Sequence, residues 1–471
     1  MPRPGLFSTL FPWRVHPTFT VLTVATGQFS DFFLFGMRVP LLPHLIRTHL
    51  HVAEDEVQSR VAILLAAFSL ATLLTAIPAG WLADFGWLRG RLYLAGLGAL
   101  LWSTIVFYTA RSWETILLSR VLNGISAAVL YAAGFAMVVD VVPAENLGKA
   151  LGTIRSIAAV GELTGPPAGG LIYSHWGFNG ILNVSLAALA VDLVMRALMV
   201  DRPREVSVDA QSAAATGIEQ PSETTDALLP NQPVTRTRRE KEKPASMLPI
   251  LSCLDDSQLV VPLILSFIQY IILGTFDSTL ALEASDQFGI PPGRVGAIFL
   301  ALAIPVLALA PLAGWAVDRL GPRVVAVVGF GCFAPTLTGM YLSSFIQDMS
   351  VRFGVFLCLL VLQGICLAIV STPSMVKAKQ AVERTVRDDP ARFGSRGAMG
   401  QMFGLTTLVS SSGLLVGDYV CAAVRDAIGY GFMNLILASL CVLAAVLAWV
   451  FFREEDAEVG SPDDEEDLEF E

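Results

Sequence analysis

Twelve apolar runs, each about long enough to cross a bilayer, limit what this chain can fold into more than any other feature. A hydrocarbon core of about 30 Å takes about 20 helical residues. Runs of that kind fall at 19–45, 61–83, 92–110, 113–139, 151–173 and 178–199, and again at 259–282, 295–317, 324–345, 353–375, 398–424 and 432–452. With 54% of the 471 residues hydrophobic and only 15% charged, the apolar surface exceeds what one soluble core can bury. Lipid offers the backbone no hydrogen-bond partners, so each run has to satisfy its own N–H and C=O groups as a helix. The expected fold class is therefore an all-α membrane protein of twelve transmembrane helices in two six-helix bundles.

The intervening segments give the organisation. Residues 18–200 and 258–452 are read as the two bundles, preceded by a short N-terminal segment at 1–17. Between them, 201–257 has linker composition, rich in Ser, Thr, Pro, Glu and Gln with a basic cluster at Arg236, Arg238, Arg239, Lys241 and Lys243. The segment 453–471 is an acidic tail that carries much of the formal net charge of -10, so that charge says little about a substrate. Most of the 31 Lys and Arg residues lie on the side of the termini and linker, and the opposite loops hold Arg47, Arg60, Arg111, Arg294, Arg352 and Arg425. By the positive-inside rule both termini are expected in the cytoplasm of a multi-pass protein.

The halves also repeat each other. Gly80-Trp81-Leu82-Ala83-Asp84 closes the second run and Gly314-Trp315-Ala316-Val317-Asp318 closes the eighth. Parallel repeats related by an axis along the membrane normal are how two bundles build a site at their seam and rock about it. Within the runs stand Asp31, Glu162, Asp277 and Asp418, and the cation Arg120. An ionisable group at a helix centre costs about 2.5–3.5 kcal/mol on insertion scales, which makes each a candidate for substrate or proton binding. Asp31 is the leading one, against the alternative of a structural pair with Arg38 two turns on. For Arg120 the competing reading is snorkelling to the outer interface, and for Asp277 a partly hydrated charge at the mouth.

Taken together, these motifs resemble the major facilitator superfamily over nearly the whole chain. The inner-loop motif of that family is clear as Gly314, Asp318, Arg319, Gly321 and Arg323, and degraded in the first half, where Phe85 follows Asp84 and Arg89 and Arg91 stand in for the missing cation. The resemblance implies a charged latch between the halves, made in one access state and broken in the other. Gly152, Gly161, Gly165-Pro166 and Gly169-Gly170 match the antiporter motif of drug:proton antiporters, in which closely spaced glycines and a bent helix seal two halves. Asp31 with Pro40 and Pro43, and Asp277 in the seventh run, are similar to vesicular amine transporters and their relatives. Departures from that group are a second run without lysine, and Ser371 and Thr407 where acids are expected.

What the resemblance implies is a secondary active transporter, exporting or sequestering a small organic compound by proton antiport, in the plasma membrane rather than a vacuolar or vesicular one. Its substrate and proton residues would be Asp31, Arg120, Glu162 and Asp277, and its conformational residues Gly80, Asp84, Gly161, Gly165, Pro166, Gly169, Gly170, Gly314, Asp318, Arg319 and Arg323. Uptake by symport or uniport, and a transporter-like sensor, are the competing functions. There is no Walker loop, no nucleophile elbow and no metal-ligand spacing, so neither an enzyme nor a cofactor or metal is expected. The expected partners are the lipid bilayer, the substrate and protons, with no nucleic acid, and the chain is expected to work as a monomer.

Overall fold

The computed structural model describes residues 14, 16–49, 53–83, 85, 87–199, 257–388 and 399–452, and all regular elements among them are helical. Helix α1 (Pro17–Arg38) passes through a 3-10 turn (Val39–Leu41), where Pro40 supplies no N–H, into α2 (Leu42–His49). There follow α3 (Glu54–Ala83), α4 (Arg89–Thr109), α5 (Trp113–Val141) and α6 (Ala144–Leu198). The second half begins with α7 (Ser257–Thr275), a π-helical turn (Phe276–Leu280) and α8 (Ala281–Phe288), then α9 (Pro292–Ser343), α10 (Met349–Val370) and α11 (Pro373–Asp388). It ends with α12 (Met399–Leu415), a second π-helical turn (Val416–Cys421), α13 (Ala422–Ile428) and α14 (Tyr430–Phe451).

Two of these helices fold back on themselves. Gly177 (φ 61°) breaks α6 and Gly321 (φ 79°) breaks α9, each in a backbone region that side chains with a Cβ rarely occupy. Each helix thus has two antiparallel arms joined by a single glycine. Nine helical stretches among the described residues are long and apolar enough to cross a membrane. Helix α1 is not one of them, because Thr20, Thr23, Gln28, Ser30 and Asp31 dilute its apolar character. Met199 and Ser257, at the two ends of the linker, mark one face of the molecule, called here the linker face. Short connections alternate the helices, so that Gly177, Gly289 and Gly429 lie at the opposite, far face.

Backbone-to-backbone approach at glycines assembles each half, and the two halves use equivalent contacts. A Cβ on Gly161 would lie 2.6 Å from the Phe29 carbonyl oxygen, and one on Gly165 2.8 Å from that of Phe33, with Gly169 equally tight on Met37, so one face of α6 has no room against α1. In the second half Gly413 of α12 stands in the same relation to Phe267 of α7 (2.7 Å), and Gly417 to Ile271. Likewise Gly124 of α5 rests on Phe68 of α3, and Gly364 of α10 on Leu302 of α9. The segments Val121-Leu122-Asn123-Gly124 and Val361-Leu362-Gln363-Gly364 carry this correspondence in the sequence. Across the seam, a Cβ on Gly296 of α9 would meet the Pro166 carbonyl at 2.6 Å and Gly170 at 2.8 Å. The Gly-Pro motif therefore serves two interfaces, its Gly161, Gly165 and Gly169 inside one half and its Pro166 and Gly170 between halves.

Polar contacts close the seam at the far face. Arg47 after α1 donates to Asp286 (3.0 Å) and Ser285 (3.3 Å), and Gln58 of α3 donates to the Ser278 carbonyl (3.2 Å). Arg425 of α13 reaches Glu283 (3.0 Å), Asp286 (3.3 Å) and, in the other half, Gln58 (3.3 Å). Nearer the linker face the halves share an apolar cluster that joins Leu130, Ala133 and Val138 to Leu259, Ala378 and Val382.

Two expectations follow for thermal denaturation of the detergent-solubilised protein. Gly165→Val should cost about 1–3 kcal/mol through overpacking, whereas Gly152→Ala, with nothing within 4 Å of its would-be Cβ, should be neutral or stabilise by about 0.4–1 kcal/mol. Arg425→Ala should cost about 3–5 kcal/mol by stranding the buried Glu283, and Arg47→Ala, which removes an exposed pair, under about 1 kcal/mol.

Candidate functional site

Two polar clusters lie where apolar packing would otherwise be expected. The first is inside the first half. Asp31, 4% exposed, accepts a hydrogen bond from the Asn123 amide (3.4 Å), and the Asn123 oxygen accepts one from Arg38 (3.4 Å), whose second nitrogen donates to Thr104 (2.8 Å). Asp31 and Arg38, both on α1, are thus linked through a second helix, α5. Two helical turns separate them by about 10 Å along α1, too far for contact, and the amide of α5 fills that gap.

Arg120 lies beside this cluster and is 0% exposed, so it does not snorkel to an interface. Its guanidinium has no hydrogen-bond partner among the described residues. Instead it lies 5.2 Å from the centroid of Phe107 and 5.8 Å from that of Phe35, while Arg38 lies 5.3 Å from Phe107. Cation–π attraction in a desolvated site is worth about 2 kcal/mol or more. That offsets only part of the cost of burying a guanidinium, so the nearest opposite charge matters, and Asp418 of the other half is within electrostatic reach of Arg120.

The second cluster straddles the seam. Asp277 and Asp418 each sit in one of the two π-helical turns, and these turns touch through Ser278, whose hydroxyl donates to the Gly417 carbonyl (3.4 Å). A π turn widens the helix and re-aims side chains, and such turns are common at functional sites. One oxygen of Asp418 accepts from Ser69 of α3 (2.8 Å), across the seam, and the other has no partner among the described residues. Asp277 has Asp418 and Glu162 as its electrostatic neighbours, which brings together a carboxylate from α6, one from α12 and its own. Arg155, two turns from Glu162 on the same face of α6, donates to the Tyr270 hydroxyl of α7 (3.2 Å). Three acids and Arg120 therefore lie within electrostatic reach of one another around the seam, where motion of one half against the other would change the pairings that cross it.

The conformational motifs are placed less completely. Asp84 lies outside the described residues, as does the side chain of Asp318. Nothing packs within 4 Å of a Cβ built on Gly80 or Gly314. Arg89 ion-pairs with Asp140 and donates to the Ala83 carbonyl (2.6 Å), so it ties α4 to α5 and α3. Arg323 donates to the Trp449 carbonyl (3.1 Å) and lies over that ring, and Arg319 lies over Trp315 (5.4 Å). These partners are all within the cation's own half, so the expected latch between halves is not formed by Arg89, Arg319 or Arg323 through them.

Several charged residues at the site escape a reading of the sequence by runs. Arg155 and Arg196 lie within α6, and Arg196 is buried there. Asp192 is buried in the second arm of α6, and the buried Glu283 pairs with the partly buried Arg425 just beyond the runs assigned to their helices. A signal for Asp192 was available, since it is an acid six residues inside an apolar run.

Residues 24–276 and 262–470 match the profile of the Major Facilitator Superfamily. The MFS-type transporter ppzB of Metarhizium rileyi is 31% identical over 462 residues, covering 93% of this chain and 95% of that protein. The multidrug resistance protein MdtG of Klebsiella pneumoniae is 24% identical over 462 residues, covering 96% and 97%. Among solved structures, the human organic anion transporter MFSD10 (TETRAN) superposes with a TM-score of 0.61 at 18% identity, over 92% of this chain and 99% of that one, a likeness of fold. The family profile spans both halves and the ppzB relative nearly the full length, so the chain belongs to the major facilitator superfamily of membrane transporters.

Proposed function

We infer that the chain is a twelve-span secondary active transporter that exports a small organic compound in exchange for protons, with both termini cytoplasmic. The observation that carries this reading is the charge cluster at the seam: Arg120 buried with no hydrogen bond among the described residues, Asp418 held from the opposite half by Ser69, and Asp277 and Glu162 of different halves within electrostatic reach of each other. Breaks at Gly177 and Gly321 divide α6 and α9 into two spans each, which supports a count of twelve. The charge bias of the loops supports the orientation, and a distant relationship to multidrug resistance proteins supports an organic substrate. A working monomer in the plasma membrane, the location that suits export, completes this reading.

Coupling follows from the cost of bare charge. A carboxylate left uncompensated while its surroundings rearrange costs about 2.5–3.5 kcal/mol, which slows the empty, ionised carrier by about two orders of magnitude. A proton or a bound substrate removes that cost, so the halves rock readily when one or the other is present. Such a carrier exchanges instead of leaking. On this reading Asp31, held by Asn123 and opposed by Arg38, is the principal proton site. Arg120 orients substrate and sets the field at Asp418, Glu162 and Asp277 contact substrate at the seam, and Gly161, Gly165, Pro166, Gly169 and Gly170 keep the seam tight. The polar contacts at the far face are among those that opening toward that face would break.

The test is reconstitution in vesicles containing a pH dye, with a panel of cationic, neutral and anionic amphiphiles. Substrate movement should be accompanied by proton movement in the opposite direction, and Asp31→Asn should reduce the proton signal by about a hundred-fold. Substrate flux with no proton signal would replace antiport by uniport, and a proton signal in the same direction would replace it by symport.

A further inference from the structure

Asp192 has no part in the scheme above, yet it is as deeply buried as Asp31. It is 2% exposed, and both its oxygens lack a hydrogen bond of ordinary geometry among the described residues. Its surroundings come from three helices. From α1 come the hydroxyls of Thr26 and Ser30 and, within electrostatic reach, the carboxylate of Asp31. From α4 comes the phenol of Tyr93, which is fully buried, donates to the Thr23 carbonyl (3.3 Å), and would collide with a Cβ on Gly27. On α6 itself Arg196 lies one turn nearer the helix end. All three helices belong to the first half.

The depth of Asp192 is informative. It is six residues from the end of α6 at Leu198, about 9 Å along the axis, while Asp31 is fourteen residues from the start of α1, about 21 Å. Both helix ends belong to the linker face. Asp192 therefore stands between Asp31 and that face, followed by Arg196. A buried carboxylate costs free energy whether it serves stability or not, and its neighbours here, two hydroxyls and a cation one turn on, are groups that can exchange or stabilise a proton's charge.

We propose that Asp192 is a proton relay, passing protons between Asp31 and the linker face through the interior of the first half, on a route separate from the substrate path at the seam. A proton leaves the Asp31 carboxyl oxygen and is taken up by a carboxylate oxygen of Asp192, by way of the Ser30 or Thr26 hydroxyl or a water. Asp192 then releases it toward the end of α6, where Arg196 stabilises the ionised form. No bond other than O–H is made or broken, and charge is conserved at each transfer. The separation would let the proton return while substrate occupies the seam. This proposal rests on Asp31 being the proton site, as inferred above.

The test uses the proton itself as ligand and needs no substrate. In vesicles with the linker face outward, an external acid jump is applied and buried carboxyl groups are followed by time-resolved infrared difference spectroscopy, with Asp31→Asn assigning the Asp31 band. In Asp192→Asn, Asp31 should reach the same final protonation at least about ten times more slowly, and Asp192→Glu should restore most of the rate. An unchanged rate in Asp192→Asn would overturn the relay, as would a slowed rate that Asp192→Glu fails to restore, which would mark Asp192 as structural. If the wild-type Asp31 band does not respond to acid, the proton site falls and the relay with it. If the band responds but no amphiphile drives proton movement, the relay stands and antiport alone is lost.

Discussion

A charge inside a lipid-embedded bundle has to be neutralised, paired or hydrogen-bonded, and the rest of this structure is arranged around that requirement. Asp31 and Arg38 satisfy it through Asn123 and Thr104, within one half and without reference to the other. Arg120 and Asp418 do not satisfy it fully in their own halves. Arg120 leans on the faces of Phe107 and Phe35, and Asp418 takes its hydrogen bond from Ser69 across the seam. The hydrogen-bond partners of the first arrangement move with their own half, and those of the second change as the halves rock. That difference divides a proton site in the bundle interior from a substrate site at the seam.

Packing makes the rocking possible by keeping each half stiff. Glycines at Gly161, Gly165 and Gly169 against α1, and at Gly413 and Gly417 against α7, bring backbones to distances at which no methyl group fits. Interfaces of that kind resist sliding because displacement in any direction creates overlap or a void. Between the halves the comparable contact is local, at Gly296 against Pro166 and Gly170, while the far side is held by an apolar cluster that joins Leu42, Ile46 and Val61 to Leu280, Ala284 and Ile298, and by arginine, carboxylate and amide groups that water can replace. Rigid halves whose seam combines apolar clusters with exchangeable polar contacts suit a change of access by rigid-body motion.

The parts of this that are legible in the sequence are those written as local periodicity. The apolar runs give the helices, the repeated Gly-Trp segment gives the two halves, and the glycine spacing in 152–170 gives a close helix contact before its partner is known. Partners themselves are not local. Nothing near Arg120 indicates that Phe107 and Phe35 cover it, so its place in the outer third of its run suggested snorkelling, and full burial emerges only when α1, α4 and α5 come together. Arg38 looked like a direct partner for Asp31 on helical spacing, until Asn123 was placed between them. The π-helical turns at Asp277 and Asp418 shift the helical register by a residue without a composition that marks them. Arg89 took Asp140, a partner set by the ends of α4 and α5, where the inner-loop motif led to an expectation of a contact between halves.

Exchange driven by neutralisation of buried acids makes one thermodynamic demand that facilitated diffusion does not. With substrate equal on both sides of a sealed vesicle and the membrane potential clamped to zero, an imposed pH difference should by itself drive substrate against its own gradient, from the alkaline to the acidic compartment. The amplitude should rise with the pH difference and vanish in Asp31→Asn. Substrate that stays evenly distributed under a pH difference, in vesicles shown to carry it down a gradient, would contradict proton-driven exchange.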